Sequence, residues 1–364
     1  MRVEHGGDGA ILAEKLGIPA EDYLDFSANI NPLGLSPRLR ETLVVAIDQL
    51  VAYPDSHYRH AKAAIAAHHQ YEPQHILLAN GAVDIFYELA RYFRPQTVVT
   101  LSPTFMEYEK AFLQVGSKIA YCLLAAPDYT WDVETLLPTI SSLSKGDVVL
   151  LCNPNNPTGT LQKVDSLKEI ARYLVEKEVI LVLDEAFIDF LENESCYSFI
   201  SSLQEFPNVI VVRSLTKFYA IPGLRLGYAI STHPTCFAQI EEQRAPWSVN
   251  TLADRAVPAI LADTAYQQET RQWLAVEKEF LFSALTSFPQ LQVVKPSVNY
   301  IFFEYTGELD LRRELWKEQI FIRSCSNYHH LSDRHYRVAI RSRHENEALI
   351  AALGQVLAKE VAHE

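Results

Sequence analysis

The sequence predicts an α/β protein, with a large domain built on a mostly parallel sheet and a smaller α+β domain after it. Three observations predict this. From about residue 76, short apolar runs alternate with helical periods. The runs Asp147–Cys152 and Val179–Leu183 are continuously apolar, as strands covered on both faces must be. Beyond about residue 235 the pattern turns helix-rich and the strands become short. The expected boundaries are an N-terminal arm at 1–38, a large domain at 39–235 and a small domain at 236–364.

The elements follow in order. The first 35 or so residues carry Pro19, Asn29, Asn31, Pro32 and Gly34 and read as an irregular arm. Ser36 and Pro37 fit the N-cap and first position of a helix whose apolar face is Leu39, Leu43, Ile47 and Leu50. Strands are expected at Ile76–Ala79, Thr97–Leu101, Lys118–Leu123, Asp147–Cys152, Val179–Leu183 and Val209–Val212. Helices are expected at Val83–Phe93 and Thr104–Val115, and from a capping box at Ser166 and Glu169. Residues 250–288 predict two helices. Strands at Gln292–Val294, Tyr300–Glu304, 320–323 and 336–341 then alternate with helices at 309–318 and 345–358.

Composition narrows the function. The 364 residues are 48% hydrophobic and 21% charged, an ordinary globular balance. A net charge of −13 argues against non-specific binding to nucleic acid or an anionic membrane. No apolar run is long enough to span a bilayer, and Met1–Asp8 lacks the apolar stretch of a secretory signal. Five scattered cysteines form no CxxC pair, so neither a disulfide framework nor a metal site is expected, and the cytoplasm is the expected compartment. No GxGxxG or GxxxxGK[ST] occurs, which speaks against a nucleotide-binding fold.

In a parallel sheet, ligands sit at the carboxyl ends of the strands. After the first predicted strand comes Asn80-Gly81-Ala82-Val83-Asp84, which fits a tight turn or a phosphate cradle at a helix N-terminus. After Cys152 comes the proline-stiffened loop Asn153-Pro154-Asn155-Asn156-Pro157-Thr158-Gly159. Asp184 follows a buried strand, where a carboxylate is costly without a cationic or hydrogen-bonding partner. Next come Ser214, Thr216 and Lys217, then Gly223-Leu224-Arg225-Leu226-Gly227. A lysine there is ordinarily solvated. On an edge shared with an Asn, an Asp, a Ser and an Arg, it suits a Schiff-base role.

This order of motifs resembles the fold-type I pyridoxal phosphate (PLP) enzymes, the aspartate aminotransferase superfamily, over essentially the whole chain. The resemblance implies that Lys217 attaches the cofactor and later moves the proton. It implies that Asp184 pairs with the ring nitrogen and that Asn156 donates to the ring oxygen and borders the substrate. The amides of Gly81, Ala82 and Val83, with Ser214 and Arg225, would hold the phosphate. Phe105 would stack on the ring, unless it is an ordinary core aromatic. Tyr53 would reach the cofactor of a second subunit, which implies a homodimer with shared active sites. One position departs from the common pattern: Phe187 stands where a tyrosine would donate a further hydrogen bond to the ring oxygen.

Arg323 and Arg337 suit two anionic groups of a small substrate, a carboxylate and a phosphate, although either could be a surface ion-pair residue. The pattern is similar to the histidinol-phosphate aminotransferases. The segments His5-Gly6-Gly7, Leu24–Gly34, Arg213–Gly227, Pro246–Asn250 and Cys325–Tyr328 are more similar to the threonine-phosphate decarboxylases of cobalamin biosynthesis. That resemblance implies that the arm folds over the site, with His5 and Asn31 on the substrate phosphate. It implies PLP-dependent decarboxylation of O-phospho-L-threonine. The alternative is transamination of histidinol phosphate or a related amine. A non-catalytic binding role is the reading from another class, and Lys217, Asp184 and Arg225 speak against it.

Overall fold

The structure, a computed structural model, describes residues 6–19 and 21–361. Its strands are β1 (Leu24–Asp25), β2 (Ile76–Ala79), β3 (Thr97–Ser102), β4 (Lys118–Leu123), β5 (Val148–Cys152), β6 (Ile180–Asp184), β7 (Val209–Ser214) and β8 (Gly227–Ile230). After a helical stretch come β9 (Leu291–Val293), β10 (Tyr300–Tyr305), β11 (Ile320–Phe321), β12 (Arg323–Ser324) and β13 (His335–Ala339). A seven-stranded sheet runs β2-β8-β7-β6-β5-β3-β4, and a four-stranded one runs β12-β13-β10-β9. In the large sheet the pairs from β4 through β7 are parallel, and β8 runs antiparallel to both its neighbours.

The apolar runs form the middle strands because both sheet faces are covered. Every residue of β2, β5, β6, β7 and β8 is buried. Helices Ala82–Phe93 and Val164–Glu176 bury one apolar face each, through Ile85, Phe86 and Leu89 and through Leu167, Ile170 and Leu174. The register sets Cys152 opposite Asp184 and Asp184 opposite Val212. The carboxyl ends of β5, β6 and β7 therefore lie side by side, and their following loops emerge at one edge.

Several local expectations change. Ser36 does cap its helix, accepting from Leu39 N–H at 3.2 Å, but the α-helix ends at Ala46 and a 3-10 segment covers Ile47–Val51. The helix expected from the Ser166 capping box starts earlier, at Val164, and no side chain caps it. The arm is not irregular throughout. It contains a helix at Gly9–Leu16, closed by Gly17 at φ 69°, and the strand β1, paired in parallel with β11. The strand expected at 320–323 divides, with β11 bonded to the arm and β12 to β13. Helices at Arg59–His69, Val133–Ile140 and Cys236–Gln243, and the strand β8, had no expectation in the sequence.

Behind the carboxyl edge lies a buried ion-pair cluster. Arg213, 1% exposed, donates from Nε to Glu185 at 2.9 Å and also pairs with Asp189 and Glu194. Glu185 further accepts from Ser198 Oγ and Phe199 N–H.

Candidate active site

The loops at this edge line an open cavity of about 210 Å³. Phe105, Asn156, Lys217, Arg323 and Arg337 all line it, together with Phe187, Tyr328 and the arm residues Gly6, Ser27, Ala28, Asn29 and Ile30. Five residues expected from the sequence are thus brought together from segments far apart in the chain.

Lys217 follows β7 and donates from Nζ to Ser214 Oγ at 2.9 Å, and its ammonium lies 5.6 Å from the centre of the Phe187 ring. Burial pushes its amine below the ordinary lysine range. Asp184 opposes that shift, and the positive charges of Arg225 and Arg337 add to it. Asp184, at the end of β6, accepts from Ala186 N–H at 2.9 Å and from Tyr108 Oη at 2.5 Å. Burial pushes its carboxyl up, and Tyr108 and Lys217 hold it down.

Asn156 is held by a loop that is itself bonded throughout. Asn155 accepts from Thr104 Oγ1 at 2.8 Å and donates to Pro103 O and Thr158 Oγ1, while its carbonyl accepts from Tyr300 Oη. Asn156 Oδ1 accepts from Arg337 at 2.5 Å and from Tyr328 Oη at 3.4 Å. The amide orientation follows from these bonds, and it leaves Nδ2 as the donor toward the cavity.

Arg337, on β13, also donates to Ser27 O at 3.0 Å and lies over the Tyr300 ring. Its Nε is buried with no hydrogen-bond partner, and among the described residues no carboxylate pairs with it. A buried guanidinium left in that state is set up for an anion. Arg323, on β12, donates to Asn327 Oδ1 at 2.9 Å and lies over Tyr328.

A second part of the edge is built from glycines and Arg225. No side chain caps helix Ala82–Phe93, so the amides of its first turn remain donors. Gly81 has φ 90°, and a Cβ there would sit 2.4 Å from the Arg225 guanidinium. A Cβ on Gly227 would sit 2.4 Å from Ala82 N. Only glycine at both places lets β8, Arg225 and the helix N-terminus converge. Uncapped amides, an arginine and the nearby Ser214 hydroxyl form a donor set suited to a phosphate.

Three expectations need comment. Asn31 does not face the cavity. Its Nδ2 donates to Phe218 O at 2.8 Å, Thr270 Oγ1 at 2.8 Å and Tyr266 Oη at 3.0 Å, and its Oδ1 accepts from Leu33 N–H. Its own N–H bonds Lys217 O at 3.0 Å. With every amide site committed, Asn31 braces the lysine turn instead of gripping a substrate. Tyr53 is 79% exposed, stacked on Trp247 at 4.5 Å and not among the residues lining this cavity. His5 lies outside the described residues. Tyr108, Tyr328 and the Ser27 carbonyl had no role in the sequence reading, because their partners are set by the tertiary fold. Among the described residues, no cluster of His, Cys, Asp and Glu could hold a metal, and no helix is long and apolar enough to cross a membrane.

Comparison with known proteins agrees with this geometry. The aminotransferase class I and II family model matches residues 21–353. Threonine-phosphate decarboxylase of Salmonella typhimurium is 42% identical, over 97% of this chain and 96% of its own. Among solved structures, the histidinol-phosphate aminotransferase of Clostridium acetobutylicum is 29% identical with a TM-score of 0.86, covering 92% of this chain and 99% of its own. The L-threonine-O-3-phosphate decarboxylase of Porphyromonas gingivalis has a TM-score of 0.80 with the same coverage; at 24% identity it speaks for the fold alone. The chain belongs to the class I and II aminotransferases and has their α/β fold, fold-type I, with a mostly parallel central sheet.

Proposed function

We propose that this member of the class I and II aminotransferase family is a PLP-dependent decarboxylase. Its substrate is O-phospho-L-threonine, its product (R)-1-amino-2-propanol O-phosphate, and its place cobalamin biosynthesis. The observation that carries the reading is the pair of buried arginines, Arg323 and Arg337, facing one cavity with Lys217. Two guanidinium groups suit a substrate with two anionic ends. The similarity to a threonine-phosphate decarboxylase over nearly the whole chain supports the choice of substrate.

The residues fit PLP. The amides of Gly81, Ala82 and Val83, with Ser214 and Arg225, would hold its phosphate. Asp184 would meet the ring nitrogen, Asn156 Nδ2 the ring oxygen, and Phe105 the ring face, with Lys217 as the attachment point. When bound, the cofactor supplies an electron sink for the pair left by a bond broken at Cα. Arg323 and Arg337 decide which bond that is. They would hold the phosphate and the carboxylate of the substrate so that the C–CO₂⁻ bond, rather than Cα–H, is the one placed to break. Lys217 would deliver the proton that takes the place of the departing CO₂ on Cα. Asp184, held by Tyr108 and the Ala186 amide, would present its carboxylate to the ring nitrogen. Phe187 offers the ring oxygen no hydrogen bond, so Asn156 is its donor from this part of the sheet edge.

The arm at 1–38, the large domain at 39–235 and the small domain at 236–364 act as one unit in this proposal, in the cytoplasm and as a homodimer. The exposed apolar side chains Val44, Val45 and Val51, next to Tyr53 and Trp247, support a subunit contact there. Tyr53 would then serve the partner's cofactor phosphate. The test is CO₂ release from PLP-loaded protein given O-phospho-L-threonine with no keto acid. Stoichiometric CO₂ and aminopropanol phosphate are expected. Amine transfer that depends on 2-oxoglutarate, without CO₂, would move the assignment to an aminotransferase.

A further inference from the structure

Tyr108 lies just behind the cavity. It stands at the start of helix Glu107–Leu113 and is 1% exposed. Its ring meets Phe86 edge-on at 4.9 Å and Phe105 edge-on at 5.5 Å. The core thus fixes it on one side and a cavity-lining ring on the other. Its hydroxyl donates to Asp184 Oδ2 at 2.5 Å, while Ala186 N–H occupies Oδ1. Each carboxylate oxygen has one donor from the protein, which leaves lone pairs for one more donor arriving from the cavity side.

We propose that Tyr108 is a positioning residue that holds the Asp184 carboxylate aimed at the ring nitrogen of the cofactor. The proposal rests on the PLP reading above. A carboxylate at the end of a fully buried strand faces a desolvation cost that favours its neutral form. A phenol donating to it favours the ionised form. Burial and the Asp184 charge push the Tyr108 hydroxyl well above the ordinary tyrosine range, so it remains a donor at any working pH. Without that donor Asp184 takes up a proton more readily, and a neutral carboxyl no longer stabilises a protonated ring nitrogen. The same bond also fixes the rotation of the carboxylate, and both effects act at one ligand atom. The predicted defect is therefore specific to that nitrogen.

The test is Tyr108→Phe, which removes one oxygen and keeps the ring contacts with Phe86 and Phe105. Full-length wild type and variant are stripped of cofactor and titrated with PLP and with its 1-deaza analogue, in which carbon replaces the ring nitrogen. The variant should bind PLP about tenfold more weakly, the size expected for losing a hydrogen bond to a charged group. It should bind the deaza analogue like the wild type. With PLP and O-phospho-L-threonine, kcat should fall more than KM rises, and the acidic limb of the kcat profile should move to higher pH. An equal loss of affinity for both cofactors would overturn the proposal, because Tyr108 would then only pack. Unchanged PLP affinity and an unchanged pH profile would overturn it as well. Wild-type protein that takes up neither cofactor would instead refute the PLP reading beneath it.

Discussion

Arg337→Met removes the guanidinium that lines the cavity beside Lys217. In the wild type that group donates to Asn156 Oδ1 and to Ser27 O, and its Nε has no acceptor. A substrate anion would take two charge-assisted hydrogen bonds from it, each worth roughly 1.5–3 kcal/mol. Losing both removes about 3–6 kcal/mol of transition-state binding, or roughly 10²–10⁴-fold in kcat/KM. Stability should move much less. The variant loses the bonds to Asn156 and Ser27 but also relieves a buried charge that no carboxylate among the described residues neutralises. The two effects oppose each other, so Tm should stay within about 3 °C. Arg337→Lys, which keeps the charge but not the fork, should fall between the two. The assay is CO₂ release from O-phospho-L-threonine over a substrate series, beside thermal melts of each protein. A kcat/KM within about fivefold of wild type at unchanged Tm would refute the reasoning, since the anion would then be gripped elsewhere.

Lys217→Ala should leave no cofactor covalently attached after borohydride reduction, as read by intact mass; retained attachment would assign the anchoring lysine elsewhere. In the cofactor-free protein, folding lowers the Lys217 pKa, so between the folded and unfolded values the unfolded chain binds more protons. Wild type should therefore gain stability relative to Lys217→Met as pH rises toward the ordinary lysine value of about 10, and a flat difference in urea midpoints would contradict this. Asn31→Ala should cost about 2–4 kcal/mol of stability, because its amide braces Phe218, Tyr266 and Thr270. A large rise in KM at unchanged Tm would return Asn31 to the substrate. Tyr53→Ala and Lys217→Ala proteins, each impaired alone, should recover activity when their subunits are mixed, since one of the two sites then has both residues. No recovery would argue that Tyr53 does not act across a dimer.

Much of the site was legible because a parallel sheet delivers it in a simple way. The apolar runs of β5, β6 and β7 mark where buried strands end, and the polar residues just past them, Asn156, Asp184, Ser214 and Lys217, land on one edge. Arg323 and Arg337 were legible as cations suited to two anionic groups of a small substrate. What was not legible depends on contacts across long stretches of chain. Asn31 looks like a ligand in sequence, yet its acceptor at Phe218 is 187 positions away. Tyr108 reads as one more apolar position on a helix until β6 brings Asp184 to its hydroxyl. Ser166 and Glu169 match a capping box, but the packing of Leu167, Ile170 and Leu174 extends the helix past it. The strand β8 is antiparallel, so its reversed direction cannot be read from a local pattern.

The pleat of β6 and β7 divides the labour between neighbouring residues. Asp184 and Ser214 lie on one face, bonded to Tyr108 and Lys217, while Glu185 and Arg213, one step along or back, meet each other on the opposite face at 2.9 Å. The rear ion pair therefore acts as a clamp that sets how far apart the two strands hold their front-facing groups. Replacing both clamp residues with apolar side chains would also leave Asp189 and Glu194 without the guanidinium they share, so the melting temperature should fall. A second loss would fall on alignment, in the spacing between a carboxylate and an amine that must both address one small ring.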